Sequence, residues 1–171
     1  GPRRSEPLFM ERRSALLLVC LLSSTLPAAG AGASLPPAST GEGQVYVYLQ
    51  PPAFDTERVS FTTDTISAID DRGTGVPLEL ALDVVGRQDS RRQRLLASGA
   101  LPAGSFTGLS ITVSKASVRD DRREAALSVP DTAFRVTAPF LVARGKAVVL
   151  WLEFRHTPPP APGTGFSPEF A

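Results

Sequence analysis

Residues 76–84 read VPLELALDV, and every second position of this stretch carries a larger apolar side chain. Its larger apolar side chains all fall on one face: Val76, Leu78, Leu80, Leu82 and Val84. Successive side chains of a β-strand point to opposite faces of a sheet, so this period of two predicts a strand with one buried face. Pro77 further predicts an edge position, since proline has no N–H to donate to a second neighbour.

Similar segments lie on both sides of this strand, and turn-forming sequences separate them. They are 44–49, 58–69, 109–118, 125–129, 134–142 and 147–154, with shorter candidates at 95–96 and 166–171. No window has the period of a long amphipathic helix. Strands spaced about 8 to 15 residues apart predict an all-β domain, an antiparallel β-sandwich of Ig-like or transthyretin-like type with about 7 to 8 strands.

The segment RVSFTTDTISAI, residues 58–69, changes phase in its middle. Val59 and Phe61 share one phase, and Ile66 and Ala68 follow in the opposite phase. A one-residue bulge near Asp64 would keep both pairs on the buried face, so we expect a bulge there.

The segment AVVLWLEF, residues 147–154, is apolar on both faces. This pattern predicts a central strand, with Trp151 in the core. Residues 143–146, ARGK, separate it from 134–142, and Gly145 stands where a tight turn needs positive φ. The two segments are therefore predicted to form a hairpin.

Two stretches of the chain repeat weakly at a spacing of 50 residues. FTTDTISAIDDR (61–72) and ITVSKASVRDDR (111–122) share a Thr, a Ser and the Asp-Asp-Arg ending. The repeat predicts two similar hairpins related by pseudo-symmetry across the sandwich; chance similarity between strand sequences is the alternative.

Residues 10–31, MERRSALLLVCLLSSTLPAAGA, have the three parts of a secretory signal. Arg12 and Arg13 form the basic start, an apolar run follows, and small residues end it. The run is too short to span a bilayer. We therefore expect an exported protein, periplasmic, cell-surface or secreted, in which residues 1–9 stand outside the fold, 32–43 form a flexible leader and 44–171 form the domain, the N-terminal part of a longer protein.

The cysteine content and the net charge limit the classes of partner that we expect. The one cysteine, Cys20, lies inside the signal, where lipid attachment is the alternative to an ordinary apolar role. Without residues 1–31 the chain has 14 basic and 15 acidic residues, a net charge of −1. Nucleic acid is not an expected partner of such a chain. Membrane contact is expected only through the signal or a lipidated Cys20.

The segment RLLASGALPAGSFTGLSITVSKASV, residues 94–118, resembles the domain-of-unknown-function family numbered 4382. The likeness lies in Leu101-Pro102-Ala103-Gly104, Phe106 and the alternation from Leu109 to Ile111. VYVYL, VTAPFLVARGKAVVLWLEF and FSPEF also resemble that family's first strand, last hairpin and terminal strand, while the Pro-rich residues 158–162 depart from it. The resemblance implies an exported bacterial or archaeal β-sandwich, and it transfers no catalytic residue.

Four acidic residues and two tyrosines are the candidate sites. Carboxylates are ligands that Ca²⁺ prefers, and the paired carboxylates would share one ion if their turns met. Neighbouring arginines, Arg72, Arg122 and Arg123, would compete for them. The acidic candidates are Asp70, Asp71, Asp120 and Asp121. Tyr46 and Tyr48 share one strand face and would suit stacking on a sugar.

The remaining polar features predict no reaction. His156 is the one histidine, and it is expected to be exposed at a strand end. Zinc patterns are absent. The loop arginines Arg87, Arg91, Arg92 and Arg94 are expected to be solvated.

These observations together predict a non-catalytic structural or interaction module with no cofactor, whose partner is a protein or a glycan at the cell surface. A carbohydrate-binding module using exposed aromatic residues is the alternative, and an enzyme is the less favoured one. The expected core is Val59, Phe61, Leu78, Leu80, Leu82, Leu109, Ile111, Val113, Phe140, Leu150, Leu152 and Phe154.

Overall fold

The computed structural model describes residues 41–51, 58–86, 92–121, 123–157 and 161–171. The signal segment with Cys20, the leader up to residue 40, Arg87, Arg91 and Arg122 lie outside these residues. Within them the protein is all-β and contains no helix.

The described residues contain eleven strands, more than the 7 to 8 expected. They are β1 (Glu42–Leu49), β2 (Val59–Asp70), β3 (Gly75–Leu80), β4 (Val84–Val85), β5 (Arg94–Pro102), β6 (Gly104–Arg119), β7 (Glu124–Leu127), β8 (Phe134–Val142), β9 (Ala147–Leu152), β10 (Phe154–His156) and β11 (Pro168–Phe170). The count is higher because residues 76–84 and 147–154 are each split into two strands, and because both short candidates, 95–96 and 166–171, contribute to strands, β5 and β11.

Nine of these strands belong to one mostly antiparallel sheet. Its order is β7-β6-β2-β3-β5-β1-β9, with β8 also paired to β6 and β4 to β2. The single parallel pair in this sheet is β1 with β9. Strands β10 and β11 form a separate antiparallel pair.

The predicted bulge in β2 is confirmed. The register against β6 shifts between Thr62 and Thr63 and again between Thr63 and Thr65. As a result Phe61 is 2% exposed and Ile66 is fully buried, although the two lie in opposite phases of the sequence.

The stretch VPLELALDV is not one strand. β3 ends at Leu80, the chain bends through residues 81–83, and Asp83 O accepts a 2.7 Å hydrogen bond from Thr63 N. Leu80 and Leu82 are only partly buried, and Val84 is 42% exposed. The prediction of an edge strand is also wrong, because β3 lies between β2 and β5. Pro77 pairs with Ser67 of β2, whereas the pairing with β5 involves only the last two residues of β3.

The predicted hairpin of 134–142 and 147–154 is wrong in its pairing. Gly145 has the positive φ expected of the turn, 67°. However, β8 pairs with β6, and β9 pairs in parallel with β1. The turn itself is bonded to β1, since Gly145 N donates to Glu42 O and Gln44 N donates to Lys146 O. These bonds direct β9 along β1.

Strand β9 lies at the end of the sheet order, not at its centre. Its neighbour within the described residues is β1 alone. Trp151 is 62% exposed and Val149 is 40% exposed, so the prediction of a buried Trp151 is wrong. Both side chains lie on the face opposite Leu152, which is buried.

One hydrophobic core joins the sheet to the β10–β11 pair. Phe61 of β2 packs against Phe154 and Phe166, with ring centroids 5.0 and 5.5 Å apart. Eight of the twelve expected core residues are buried, while Leu80, Leu82, Phe140 and Leu150 are only partly buried. Burial of this apolar surface is the main stabilising contribution to such a fold.

The sequence repeat corresponds to an approximate two-fold axis within the sheet. In the repeat, Phe61 is equivalent to Ile111 and Ile66 to Ala116. In the sheet the two copies pair antiparallel, and their burial patterns change phase at equivalent positions. Thr63 and Val113 are buried, residues 64–65 and 114–115 are exposed, and Ile66 and Ala116 are buried again. Each copy continues into a hairpin, β2–β3 and β6–β7. The two copies lie side by side in one sheet, not across two layers.

Candidate binding site around Trp151

Four side chains on the outer surface of β1 and β9 form what we call the aromatic face: Tyr46, Tyr48, Val149 and Trp151. Val45, Val47 and Leu49 alternate with the tyrosines and are buried, so the tyrosines point outward. The parallel register places Tyr46 beside Val149 and Tyr48 beside Trp151. Both tyrosines are half-buried, and Trp151 is the most exposed member.

A groove of about 960 Å³ adjoins the aromatic face at Trp151. It lies where β1 ends, β5 is about to begin and β9 passes into β10. Its lining combines this indole with amide, carboxylate and guanidinium side chains: Gln50, Pro51, Gln93, Trp151, Glu153, Phe154, Arg155 and Ala171.

Backbone hydrogen bonds hold the groove in shape. Glu153 N donates to Ala171 O at 2.8 Å, and Ala171 N donates to Glu153 O at 3.1 Å. On the other side, Gln50 N donates to Leu152 O at 2.9 Å. The polar side chains therefore project from backbone that is paired on both sides of the β9–β10 junction.

The charged side chains of the groove pair with each other and remain in solvent. Arg155 Nη2 lies 3.5 Å from Glu153 Oε2, and the two side chains are 66% and 57% exposed. A pair this exposed contributes little to stability, so both groups remain available to a ligand. The groove thus offers one broad apolar surface beside several planar hydrogen-bonding groups.

Comparison with known proteins adds no argument about the site. No protein-family model matches the chain, and no curated protein matches it. Among solved structures, a leucine-rich repeat protein from Bacteroides thetaiotaomicron matches over 75% of this chain, at 14% identity and a TM-score of 0.26. The chain spans 15% of that protein's chain. The resemblance to family 4382 stays a prediction.

The sequence indicated that Trp151 lies on the face opposite the core, but the apolar residues around it suggested that this face was buried too. Leu152 and Phe154 are buried and share one phase, so Trp151 falls in the opposite phase. The apolar residues on both faces of β9 suggested burial on both sides. They did not show that one side lacks a covering layer.

The acidic turns do not form a shared calcium site. Asp70 pairs with Phe106 at one end of the β2–β6 ladder, and Val59 pairs with Val118 at the other end, beside Asp120. The 13 residues of β6 between Phe106 and Asp120 make a span of about 45 Å when extended. No group of three metal-ligating side chains is found in the part of the chain that the structure describes.

Each of these two carboxylates has local hydrogen-bond donors. Asp70 Oδ1 accepts from Arg72 N at 3.0 Å and from Thr74 N at 2.7 Å. Asp120 Oδ1 forms a 2.7 Å ion pair with Arg58, whose Nε also donates to Arg119 O at 2.9 Å. Sequence reasoning missed Arg58, because it lies 62 residues from Asp120 in the chain.

His156 is buried, at 6% exposure, which corrects the expectation of an exposed histidine. Its Nε2 accepts a 3.0 Å hydrogen bond from Ser167 N, and its ring lies 5.7 Å from that of Phe166. His156 therefore links β10 to the segment that leads into β11.

A second cleft, of about 690 Å³, lies over the bulged part of β2 and the end of β6. Its polar lining includes Ser60, Thr62, Lys115, Ser117 and Glu124. Ser117 Oγ donates to Glu124 Oε1 at 2.6 Å, so this hydroxyl is engaged with a carboxylate. The lining contains no histidine, so it lacks the usual base of a serine nucleophile.

The loop arginines that the structure describes lie at the start of β5. Arg92 is exposed, as expected, and Arg94 is half-buried as the first residue of the strand. Among the described residues, no helix has the length and apolar character needed to cross a bilayer.

Proposed function

We propose that this chain is a non-catalytic carbohydrate-recognition module of an exported protein. The observation that carries the proposal is Trp151, which is 62% exposed beside a groove lined by planar polar side chains. A ligand bound at this concave site would cover the exposed ring. Removing the apolar surface of the ring from water would contribute favourably to the free energy of binding.

The chemistry of the groove suits a sugar ring. A pyranose presents an apolar face of C–H groups and a rim of hydroxyls. The indole of Trp151 would stack on that face, and Gln50, Gln93 and Arg155 would bond the hydroxyls. Tyr48, beside Trp151 in the register, extends the apolar surface toward a neighbouring sugar unit.

The fold that presents this site is, in our proposal, a β-sandwich. The buried residues of β1 share one core with those of β2 and β6. Strands β8 and β9 are consecutive in the chain, yet they pair with β6 and β1, which are far apart in the strand order. The signal-like residues 10–31 and the resemblance to family 4382 support placement at the cell surface, in the periplasm or in the medium.

A structural or interaction module with a protein partner is the second candidate. The observation that favours it is the unpaired edge of β9, where β1 is the only neighbour among the described residues. This candidate predicts a partner that binds the strand edge and not the groove.

The experiment uses Trp151 as its own reporter, because the chain has one tryptophan. Its emission in the free protein should resemble that of tryptophan in water. Titration with a panel of soluble oligosaccharides should produce a saturable blue shift for the ligand that stacks on the ring.

Calorimetry with variants then locates the site. Trp151→Ala should abolish binding, whereas Leu141→Ala, a matched control on β8 with 64% exposure, should leave it unchanged. Gln50→Ala and Gln93→Ala should each weaken binding about tenfold, the value of roughly one hydrogen bond. Full binding by Trp151→Ala, or no binding to any saccharide of the panel, would refute the proposal.

A further inference from the structure

The aromatic face continues onto β5, the second neighbour of β1. The antiparallel register pairs Tyr48 with Leu95 and Tyr46 with Ser98. Residues that pair across two strands point to the same face of the sheet, so Leu95 and Ser98 lie on the outer surface with the tyrosines. Each tyrosine therefore has one neighbour on β5 and one on β9.

The next row along these strands consists of shorter side chains. Gln44 pairs with Ala100 on one side and with Ala147 on the other, and both alanines are exposed. No ring stands in this row, so a ligand that lies over Tyr46 can continue past it. We call this row, the aromatic face, Leu95 and Ser98 together the extended face.

The extended face contains no charged side chain. The charged residues around it are of both signs, and they include Glu42, Glu79, Lys146 and the Glu153–Arg155 pair of the groove. Arg94, at the start of β5, pairs with Leu49 and belongs to the opposite face. An acidic or a basic polymer would find no matching surplus of charge here, so the surface fits an uncharged ligand.

The size of the extended face fits a single polymer chain. Its three strands and three rows cover about 10 Å across the sheet and about 14 Å along it, at the usual spacings of a sheet. Each partner in a stable protein complex buries roughly 800 Å². A folded partner or a second copy would therefore need contacts well outside this surface, whereas a polysaccharide chain needs only a strip of this width.

We propose that the ligand is an internal stretch of an uncharged polysaccharide, bound along the extended face. This inference rests on the proposed function, in which one sugar unit stacks on Trp151. The chain passes from the groove over Tyr48 and Tyr46, whose rings stack on further units, and it leaves the surface across the row of Gln44. The amide of Gln44 and the hydroxyl of Ser98 bond to sugar hydroxyls.

The extended face does not select a chain terminus, because the row of Gln44 has no side chain that would stop the polymer. The proposal also does not depend on the edge of β9. A further strand paired to that edge would lie in the plane of the sheet, beside Trp151 and not over the rings.

The fluorescence of Trp151 tests the proposal with chains of increasing length. The probes are uncharged β-1,4-linked oligosaccharides of glucose, of mannose and of N-acetylglucosamine, from two to six units, with oligogalacturonates as acidic counterparts. For the uncharged series that binds, we expect the dissociation constant to fall at least about tenfold between two and four units and to change little beyond that. Reduction of the terminal sugar of the six-unit chain to its alditol should not weaken binding, since no chain end is recognised.

Variants locate the added contacts. Tyr46→Ala should weaken binding of the six-unit chain about tenfold and leave binding of the two-unit chain unchanged, whereas Tyr46→Phe, which keeps the ring, should bind both as the wild type does. Val149→Glu puts a charge on the extended face without removing a ring, and it should also weaken binding of the longer chain. Leu141→Glu makes the same change on β8, at another exposed position, and should have no effect.

The outcomes separate this inference from the proposed function. Equal affinity for short and long chains, or tighter binding of the oligogalacturonates, would overturn the inference and leave sugar recognition at Trp151 standing. A folded Tyr46→Ala protein that binds the six-unit chain as tightly as the wild type would do the same. Absence of binding by every chain would overturn both.

Discussion

Thr63 is a polar residue in an apolar position. It is 2% exposed, and its hydroxyl oxygen has no hydrogen-bond partner among the described residues. A buried hydroxyl without a partner costs stability relative to an apolar group of the same shape. Its position next to the bulge of β2 explains why it faces inward, since the register shifts on both sides of it.

We expect Thr63→Val to raise the free energy of unfolding by about 1 kcal/mol, because the unpaired hydroxyl is removed while the branched shape is kept. Urea denaturation measures the change. Thr65→Val is the matched control, since Thr65 is exposed and its Oγ1 donates to Thr112 Oγ1 at 3.0 Å. The control should be neutral or slightly destabilising. A loss of stability in Thr63→Val would show that the hydroxyl has a partner.

Phe154 is a core residue whose truncation should be strongly destabilising. It is 2% exposed, and its ring packs on Phe61 at 5.0 Å and on Phe170 at 5.5 Å. Phe154→Ala should lower the free energy of unfolding by about 3 to 5 kcal/mol through lost burial and a residual cavity. Trp151→Ala, three residues away on the exposed face, should change it by less than about 0.5 kcal/mol. Equal losses in the two variants would contradict the assigned phase.

At the scale of the element, the bulge of β2 determines which side chains its second half buries. The extra residue keeps Ile66 and Ala68 on the same face as Val59 and Phe61. Without it, the period of two would turn Ile66 and Ala68 to the opposite face.

Deletion of Asp64 should therefore unfold the protein or remove the cooperative melt, as followed by near-ultraviolet circular dichroism. Asp64→Ala keeps the residue count and alters only an exposed side chain, so it should fold normally. If the deletion variant melted like the wild type, the bulge would not be setting the register.

At the scale of the whole molecule, the fold places the two Asp-Asp turns far apart. They lie at opposite ends of the β2–β6 ladder, and Asp120 is engaged by Arg58. A ligand that binds only the native state raises the melting temperature by mass action. Because no shared site exists between these turns, we expect the same melting temperature in chelator and in excess Ca²⁺.

Differential scanning calorimetry checks this expectation, with Asp120→Ala measured alongside the wild type. The free energy of unfolding of the Asp120→Ala variant should be lower by less than about 1 kcal/mol, since the Arg58–Asp120 pair is exposed. A rise of several degrees in Ca²⁺ that Asp120→Ala abolishes would contradict it.

The sequence by itself determined the local structure of this protein. Alternation placed Val45, Val47 and Leu49 on one face of β1 and the tyrosines on the other, the phase change at Asp64 predicted the bulge, and Gly145 predicted its turn. These features depend on residues that are close together in the chain, where side-chain direction and backbone conformation are set locally.

Only the tertiary structure decided which strands became neighbours. Alternation shows which face of a strand is buried, but it does not name the strand that pairs with it. The pairing of β9 with β1, the exposure of Trp151, the separation of Asp70 from Asp120 and the Arg58–Asp120 contact all follow from that choice. Strand pairing is a competition among distant segments for the same edges and the same core, and its outcome depends on the whole chain.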